Sequence, residues 1–220
     1  MTRLDLSLYV IVDPARAGGR PLAEIAAAAA RGGATLVQLR DKTGETRTLV
    51  EEAKVIKRAL GGVPLLINDR VDVALAAGAD GVHLGHDDLD WRAARRLMGP
   101  RPIIGASAKR RAEIDALPLG AVDYVCIGGV FATSSKDNPD PPIGVDGFRA
   151  LAALVRERAP ALPVGAIAGI DAANAGAVMR AGADGIAVIS AVVAAENPER
   201  AARELRGIVD RARAAREVAA

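Results

Sequence analysis

Aromatic residues are few in this chain: one Trp, two Tyr and two Phe among 220 positions. A groove that stacks on successive bases needs more of them. No basic stripe compensates, because the net charge is +2 and the Arg residues are spread along the helical stretches. Composition therefore argues against a nucleic-acid partner. Cysteine is rarer still. Cys126 stands alone, so no disulfide can form within the chain and a reducing compartment is expected. Inside the apolar run Tyr124–Ile127 it reads as an inert buried thiol. No apolar run is long and continuous enough for a membrane helix, and the first residues lack a secretory layout. The expectation is a soluble cytoplasmic protein with no membrane partner. Histidine is limited to His83 and His86, and only five of the 29 basic residues are Lys, which leaves 24 Arg.

What is present is aliphatic. Half of the residues are hydrophobic, so the core must be built from Ala, Val, Leu and Ile. The length suits one α/β domain spanning residues 1–220. The stretch from Pro64 to Leu89 sets the grammar. An apolar run, Pro64–Ile67, ends in Asn68-Asp69-Arg70, a helix-compatible segment follows to Ala77, and Gly78 stops it. Ala79–Leu84 is a second apolar run, with Gly85-His86-Asp87-Asp88 just beyond. A strand, helix and strand in this order make the strands parallel. Asp69 and Asp88 then sit at the carboxyl ends of neighbouring strands, where α/β proteins place their chemistry. Each aspartate taken alone also fits a helix N-cap.

The same unit recurs along the chain. Strands are expected at Leu8–Val12, Ala34–Leu39, Pro64–Ile67, Ala79–Leu84, Pro102–Ala106, Val122–Ile127, Pro163–Ile167 and Asp184–Ile189. Helices are expected at Pro21–Arg31, Glu45–Leu60, Val71–Ala77, Asp88–Met98, Arg110–Leu117, Val145–Arg158, Asp171–Arg180 and from Pro198 onward. The even strands are entered through Gly-Ala, at Gly33, Gly78, Gly120 and Gly182, with intervals of 45, 42 and 62 residues. Three odd strands open with Pro64, Pro102 and Pro163. A βαβα module used four times is the pattern of a (β/α)8 TIM barrel with its active site at the C-terminal face of the strands. The surplus in the last interval falls in the loop Gly128–Pro142, which has little to bury and is expected to close as a lid over a bound anion.

On this register the turns that follow the strands carry Gln38, Arg40, Lys42, Asn68, Asp69, Asp88, Ser107, Lys109, Thr133, Ser135, Lys136, Gly169 and Ser190. The opposite turns carry mostly Gly, Ala, Pro and Asp. Lys42, Lys109 and Lys136 fall on the polar face, while Lys54 and Lys57 read as solvated helix positions. Cations, hydroxyls and two acids, without a nucleophile–base pair, suit a diphosphate held with Mg²⁺. That ion favours one or two carboxylates plus phosphate oxygens. The small residues of AIAGID and VISA, after the seventh and eighth strands, suit a second phosphate site. Two anion sites imply the joining of a diphosphate to a monophosphate.

The pieces LYVIVD, VQLRDK, LLINDRVDVAL, GADGVHLG with Asp88, GVFATSSK, AIAGI and VISA, in this order and spacing, resemble the thiamine phosphate synthase family over nearly the whole chain. The resemblance implies a transferase with two small-molecule substrates. Gln38, Arg40, Lys42 and Asn68 would hold hydroxymethylpyrimidine diphosphate, and Asp69 and Asp88 would take Mg²⁺. Ser107 and Lys136 would touch the diphosphate, and with Arg40 they form the expected catalytic group. Thr133 and Ser135 would bind thiazole phosphate, with Gly169, Ile189 and Ser190 around its phosphate. The implied chemistry is dissociative: diphosphate leaves the pyrimidine methylene, and the thiazole nitrogen captures the cation. His86 stands where the family usually has Gln, Lys109 where His is common, and Ala132 and Ala168 replace the usual Pro and Gly. The alternatives are a thiazole tautomerase-like isomerase on the same barrel and a non-catalytic barrel that binds thiamine phosphates. A monomer and a small homo-oligomer are equally consistent with the sequence.

Overall fold

Parallel strands covered on both faces read as near-continuous apolar runs, and here they pair in chain order until the eighth meets the first. The computed structural model describes residues 4–133 and 140–218. In order the elements are β1 (Leu8–Val12), α1 (Pro14–Ala17), α2 (Leu22–Arg31), β2 (Leu36–Leu39), α3 (Thr46–Ala59), β3 (Leu65–Asn68), α4 (Val71–Ala77), β4 (Gly81–Leu84) and α5 (Trp91–Met98). They continue with β5 (Ile103–Ala108), α6 (Arg111–Ala116), β6 (Tyr124–Ile127), α7 (Gly144–Arg158), β7 (Val164–Ile167), α8 (Ala175–Arg180), β8 (Gly185–Val188), α9 (Ser190–Val193) and α10 (Pro198–Val218). The eight strands form a closed parallel barrel, a (β/α)8 fold, with Tyr9 opposite Ala187 where β1 meets β8.

Alternation along each strand divides the core into two layers. Leu8, Val10 and Val12 pack outward against the helices, together with Val37, Leu65, Val82, Val125 and Val188. Tyr9, Ile11, Leu36, Leu66, Tyr124, Cys126 and Ala187 fill the lumen. Each fully buried aliphatic side chain contributes roughly 1.5–3 kcal/mol relative to exposure. Burial also pushes the Cys126 thiol up to about 12, which keeps it protonated and inert.

The fourfold module has a hydrogen-bonded basis at the amino ends of the strands. Asp80, Asp123 and Asp184, just before β4, β6 and β8, each accept a backbone N–H from the preceding odd strand: Leu65 at 2.8 Å, Ile104 at 2.7 Å and Val164 at 2.8 Å. Thr35 takes the equivalent place before β2, its hydroxyl 3.2 Å from the Leu8 nitrogen. Each acid also meets a cation from a helix: Lys57 on Asp80 at 2.8 Å, Arg95 on Asp123 at 2.6 Å and Arg156 on Asp184 at 3.2 Å. Lys57 is therefore a partner of this seam and not simply a solvated helix residue.

Several boundaries differ from the sequence expectation. Strand β5 runs on to Ala108, so Ser107 lies within it, not after it. Helix α5 begins at Trp91 because Asp90 caps it, accepting from the Ala93 nitrogen at 3.0 Å. Asp171 does cap backbone N–H groups, those of Ala173 and Asn174, but these belong to a turn before α8. The single-turn helices α1 and α9 are too short to show a hydrophobic period and carry no signal in the sequence. No described helix is long and apolar enough to cross a membrane.

Candidate active site

The carboxyl ends of the strands surround a cavity of about 520 Å³. Strand β2 delivers Gln38, and the residues after it deliver Arg40 and Lys42. Asn68 closes β3, Asp69 follows it, and Asp88 comes from the turn after β4. Ser107 projects from β5, Thr133 follows β6, Gly169 follows β7, and Ile189 and Ser190 follow β8. All of these line the one cavity. Ser135 and Lys136, in the middle of the β6–α7 loop, lie outside the described residues.

Two ion pairs organise one wall. The Arg40 guanidinium is held by Asp13, which is buried and also caps α1 through the Ala15 nitrogen at 2.9 Å. One arm of the Arg40 fork is thus fixed, and the remaining donors can serve an anion in the cavity. Asp13 has no role in the sequence reading beyond ending β1. Lys42 pairs with Asp69. Asp69 adopts a left-handed backbone, φ 62°, which Asp tolerates better than most residues. Its nitrogen donates to the His83 carbonyl at 2.9 Å, so it continues the β3–β4 ladder and is not a helix cap. Arg70 holds the N-cap position of α4.

Asp88 accepts the Gly85 N–H at 2.7 Å and lines the same cavity as Asp69, whose carboxyl group is its electrostatic neighbour. Burial first, then the neighbouring Asp69 carboxyl, pushes Asp88 above the usual carboxylate range. Two neighbouring carboxyl groups on one cavity, one already drawn to a lysine, form a site that a divalent cation would relieve. Among the described residues no group of three or more His, Cys, Asp or Glu side chains is arranged to hold a metal. A two-carboxylate site suits Mg²⁺, which retains waters and takes phosphate oxygens, better than it suits a structural zinc.

The cavity floor is polar in a way that composition conceals. The Gln38 amide donates to the Tyr9 hydroxyl, and the Tyr9 and Tyr124 hydroxyl oxygens are 3.0 Å apart. Tyr124 lies 2.8 Å from His83 Nδ1, and His83 Nε2 lies 2.7 Å from Ser107 Oγ. Burial keeps both phenols well above the ordinary tyrosine range, so they are neutral hydroxyls. His83 is therefore a lumen residue joined to Ser107, a pairing that reading the two separately did not reveal. Sequence did hold a clue: tyrosines inside fully apolar strands need partners for their hydroxyls.

The opposite wall is made of loops after β6 and β7. The Phe131 nitrogen donates to the Ala168 carbonyl at 3.0 Å, and the Asn174 amide donates to the Gly169 carbonyl at 2.9 Å. A Cβ on Gly169 would lie 2.3 Å from the Ala132 carbonyl oxygen, so this close approach requires glycine. Ala168 adopts φ 92°, a strained value for a residue with a side chain. Lys109 pairs with Asp140 at 2.5 Å, and Arg110 reaches the same carboxylate at 2.6 Å. His86 is exposed at the cavity rim.

Comparison with known proteins decides the family. The family model described as thiamine monophosphate synthase matches residues 8–192. The chain belongs to the thiamine monophosphate synthase family. Its relatives include the thiamine-phosphate synthase of Agrobacterium fabrum (strain C58), 52% identical over 99% of this chain and 100% of that protein. That of Chloroflexus aurantiacus is 47% identical over 94% of each. Among solved structures, a thiamine phosphate pyrophosphorylase from Pyrococcus furiosus superposes with a TM-score of 0.84 at 38% identity, covering 96% of this chain and 99% of that one. A 3-hexulose-6-phosphate synthase, at 18% identity and TM-score 0.65, shares the barrel alone. The chain is thus an enzyme of a transferase family in thiamine biosynthesis.

Proposed function

We propose that this enzyme couples hydroxymethylpyrimidine diphosphate with thiazole phosphate, releasing diphosphate and thiamine phosphate. The observation that carries the reading is that Asp69 and Asp88 line the same cavity as Arg40, Lys42 and Ser107, with Lys42 paired to Asp69. Asp69 and Asp88 would hold Mg²⁺, which when bound neutralises charge on the diphosphate oxygens. Arg40, locked by Asp13, and Lys42 would supply the cationic groups that face the diphosphate. Gln38 and Asn68 orient the pyrimidine. Thr133, Gly169, Ile189 and Ser190 take the thiazole phosphate, and the family resemblance assigns Ser135 to the same ligand and Lys136 to the diphosphate.

The bond from the pyrimidine methylene to the diphosphate oxygen breaks, and its electron pair leaves with the diphosphate. The lone pair of the thiazole ring nitrogen then forms the new carbon–nitrogen bond. No protein nucleophile is required, and the protein acts by positioning and by stabilising the departing charge. Ser107 serves in this scheme as a hydrogen-bond donor, although His83 beside it gives the pair the outline of a nucleophile and base.

The test is calorimetric titration of each substrate into the purified protein. Pyrimidine diphosphate is expected to bind in a Mg²⁺-dependent way and thiazole phosphate to bind as well. A tautomerase-like barrel would take thiazole phosphate and ignore the diphosphate, and that result would overturn the reading.

A further inference from the structure

Ser107 has one hydroxyl proton and two claimants for it: His83 Nε2, 2.7 Å away, and an anion in the cavity that Ser107 lines. The groups behind Ser107 decide which claimant it can serve. Tyr124, Tyr9 and a neutral His83 each carry a single proton for the two contacts they make in this chain, so with His83 neutral the direction of one bond fixes the direction of the next. Suppose Ser107 donates to the anion. His83 must then donate from Nε2 to Ser107 Oγ, and a neutral imidazole so protonated has a bare Nδ1. That nitrogen would accept from Tyr124, 2.8 Å away, and the 3.0 Å Tyr124–Tyr9 pair would then be turned so that Tyr9 donates, a rotation of two hydroxyl hydrogens with no movement of heavy atoms. Tyr9 in turn accepts from the Gln38 amide. Every donor meets an acceptor.

The reverse direction ends badly. With the proton on Nδ1, His83 would take the Ser107 proton at Nε2, and Ser107 would turn lone pairs toward an anionic ligand. The 3.0 Å separation of the two phenols allows either hydroxyl to donate, so the ligand selects the direction.

The barrel is built to keep this chain intact. Gly105, in β5, leaves the space that the rings occupy; a Cβ there would lie 2.3 Å from the Tyr124 hydroxyl and 2.5 Å from His83 Nδ1. Tyr124 stacks on His83 with centroids 5.5 Å apart and meets Tyr9 edge-on at 5.9 Å. Tyr9 and Tyr124 are sealed from water, and His83 is 7% exposed. Buried hydroxyls and ring nitrogens that lost a partner would each be costly, so the packing favours a fully directed chain.

We propose that His83 and Tyr124 are positioning residues that hold Ser107 as a hydrogen-bond donor to the leaving diphosphate, with His83 kept as the neutral Nε2–H tautomer. This rests on the functional reading that diphosphate occupies the Ser107 side of the cavity. It adds a link between the two ends of the site, because the same chain that orients Ser107 begins at Gln38.

The experiment combines spectroscopy with a double-mutant cycle. In wild-type protein carrying ¹⁵N-histidine, with inorganic diphosphate and Mg²⁺ added, the His83 proton is expected on Nε2, with Nδ1 as a hydrogen-bonded acceptor. A proton on Nδ1 in the presence of diphosphate that demonstrably binds overturns the proposal. Tyr124→Phe is expected to lower kcat roughly tenfold, the worth of one hydrogen bond at the upper end of the usual range. KM for the pyrimidine diphosphate should barely change. In a Ser107→Ala background the same change should cost nothing further, because its effect passes through Ser107. Losses that multiply independently would mean that Tyr124 acts only on the fold. Wild-type protein that binds diphosphate but does not couple the substrates would defeat the functional reading alone, and the tautomer measurement would still decide the chain. Diphosphate that fails to bind would overturn both.

Discussion

The Lys42 ammonium rests on the Asp69 carboxylate, and Asp69 lines the same cavity as Asp88, whose carboxyl it pushes up. One lysine therefore stands in for part of the charge that a divalent ion would bring. Asp69→Asn and Asp88→Asn are each expected to fold, since neither caps a helix. Each should lose about 10²–10³-fold in kcat, on the scale of removing one preorganised electrostatic group, and should require more Mg²⁺. Turnover against Mg²⁺ concentration checks this. Wild-type activity at limiting Mg²⁺ in either variant would remove that aspartate from the metal site.

His86 is exposed at the rim, two residues before Asp88. Its position suits a residue that lines the mouth of the cavity without taking part in proton transfer. His86→Gln is expected to keep kcat within about twofold, well under the 10²–10⁴ attributed to a general acid or base. A collapse in rate, with a wild-type pH profile that tracks one ionisation near neutral pH, would instead make its imidazole an acid or base.

Ala168 is held at φ 92°, where glycine is relaxed. Ala168→Gly should relieve backbone strain of order 1 kcal/mol, partly offset by the greater freedom of glycine in the unfolded chain. The expected result is an unchanged or slightly higher Tm, by up to about 4 °C for a chain of this size, with KM for thiazole phosphate little altered. A fall in Tm of several degrees would mean that the Ala168 side chain contributes packing that outweighs the strain. Calorimetric melting of the two proteins distinguishes these outcomes.

Asp123 sits on the face opposite the cavity, accepting from the Ile104 nitrogen and pairing with Arg95. Asp123→Ala leaves a buried N–H and a guanidinium without this partner, at a cost of about 1–3 kcal/mol. Melting should fall by roughly 3–10 °C, with kcat unchanged at a temperature where the variant is folded. This separates the stability seam at the amino ends of the strands from the chemistry at their carboxyl ends.

The fold was largely legible because a parallel barrel writes each strand as an apolar run and each reversal as glycine, proline or an acid. The Gly-Ala repeat marked the even strands, but the Asp that follows it in three of the four modules went unread as a hydrogen-bond acceptor. Such an acceptor is visible only once the neighbouring strand is in place. The same limit applies inside the cavity. Periodicity and position placed Gln38, Asp69, Asp88 and Ser107 on one face, since that follows from which end of a strand they occupy. It could not join Tyr9 to Tyr124, which are 115 residues apart and meet across the closed lumen. Nor could it give Asp13 to Arg40, a contact made by the adjacent β1 and β2 ends. Gly105 was readable as a place where something approaches a strand closely, but not as space for Tyr124 and His83.

The most direct measurement supplies purified protein with hydroxymethylpyrimidine diphosphate, thiazole phosphate and Mg²⁺, and quantifies thiamine phosphate and diphosphate in the same samples. The two products are expected in equal amounts, and both should stop when a chelator removes the metal. Diphosphate without thiamine phosphate, or neither product from a protein that binds both substrates, would contradict a Mg²⁺-assisted coupling in this cavity.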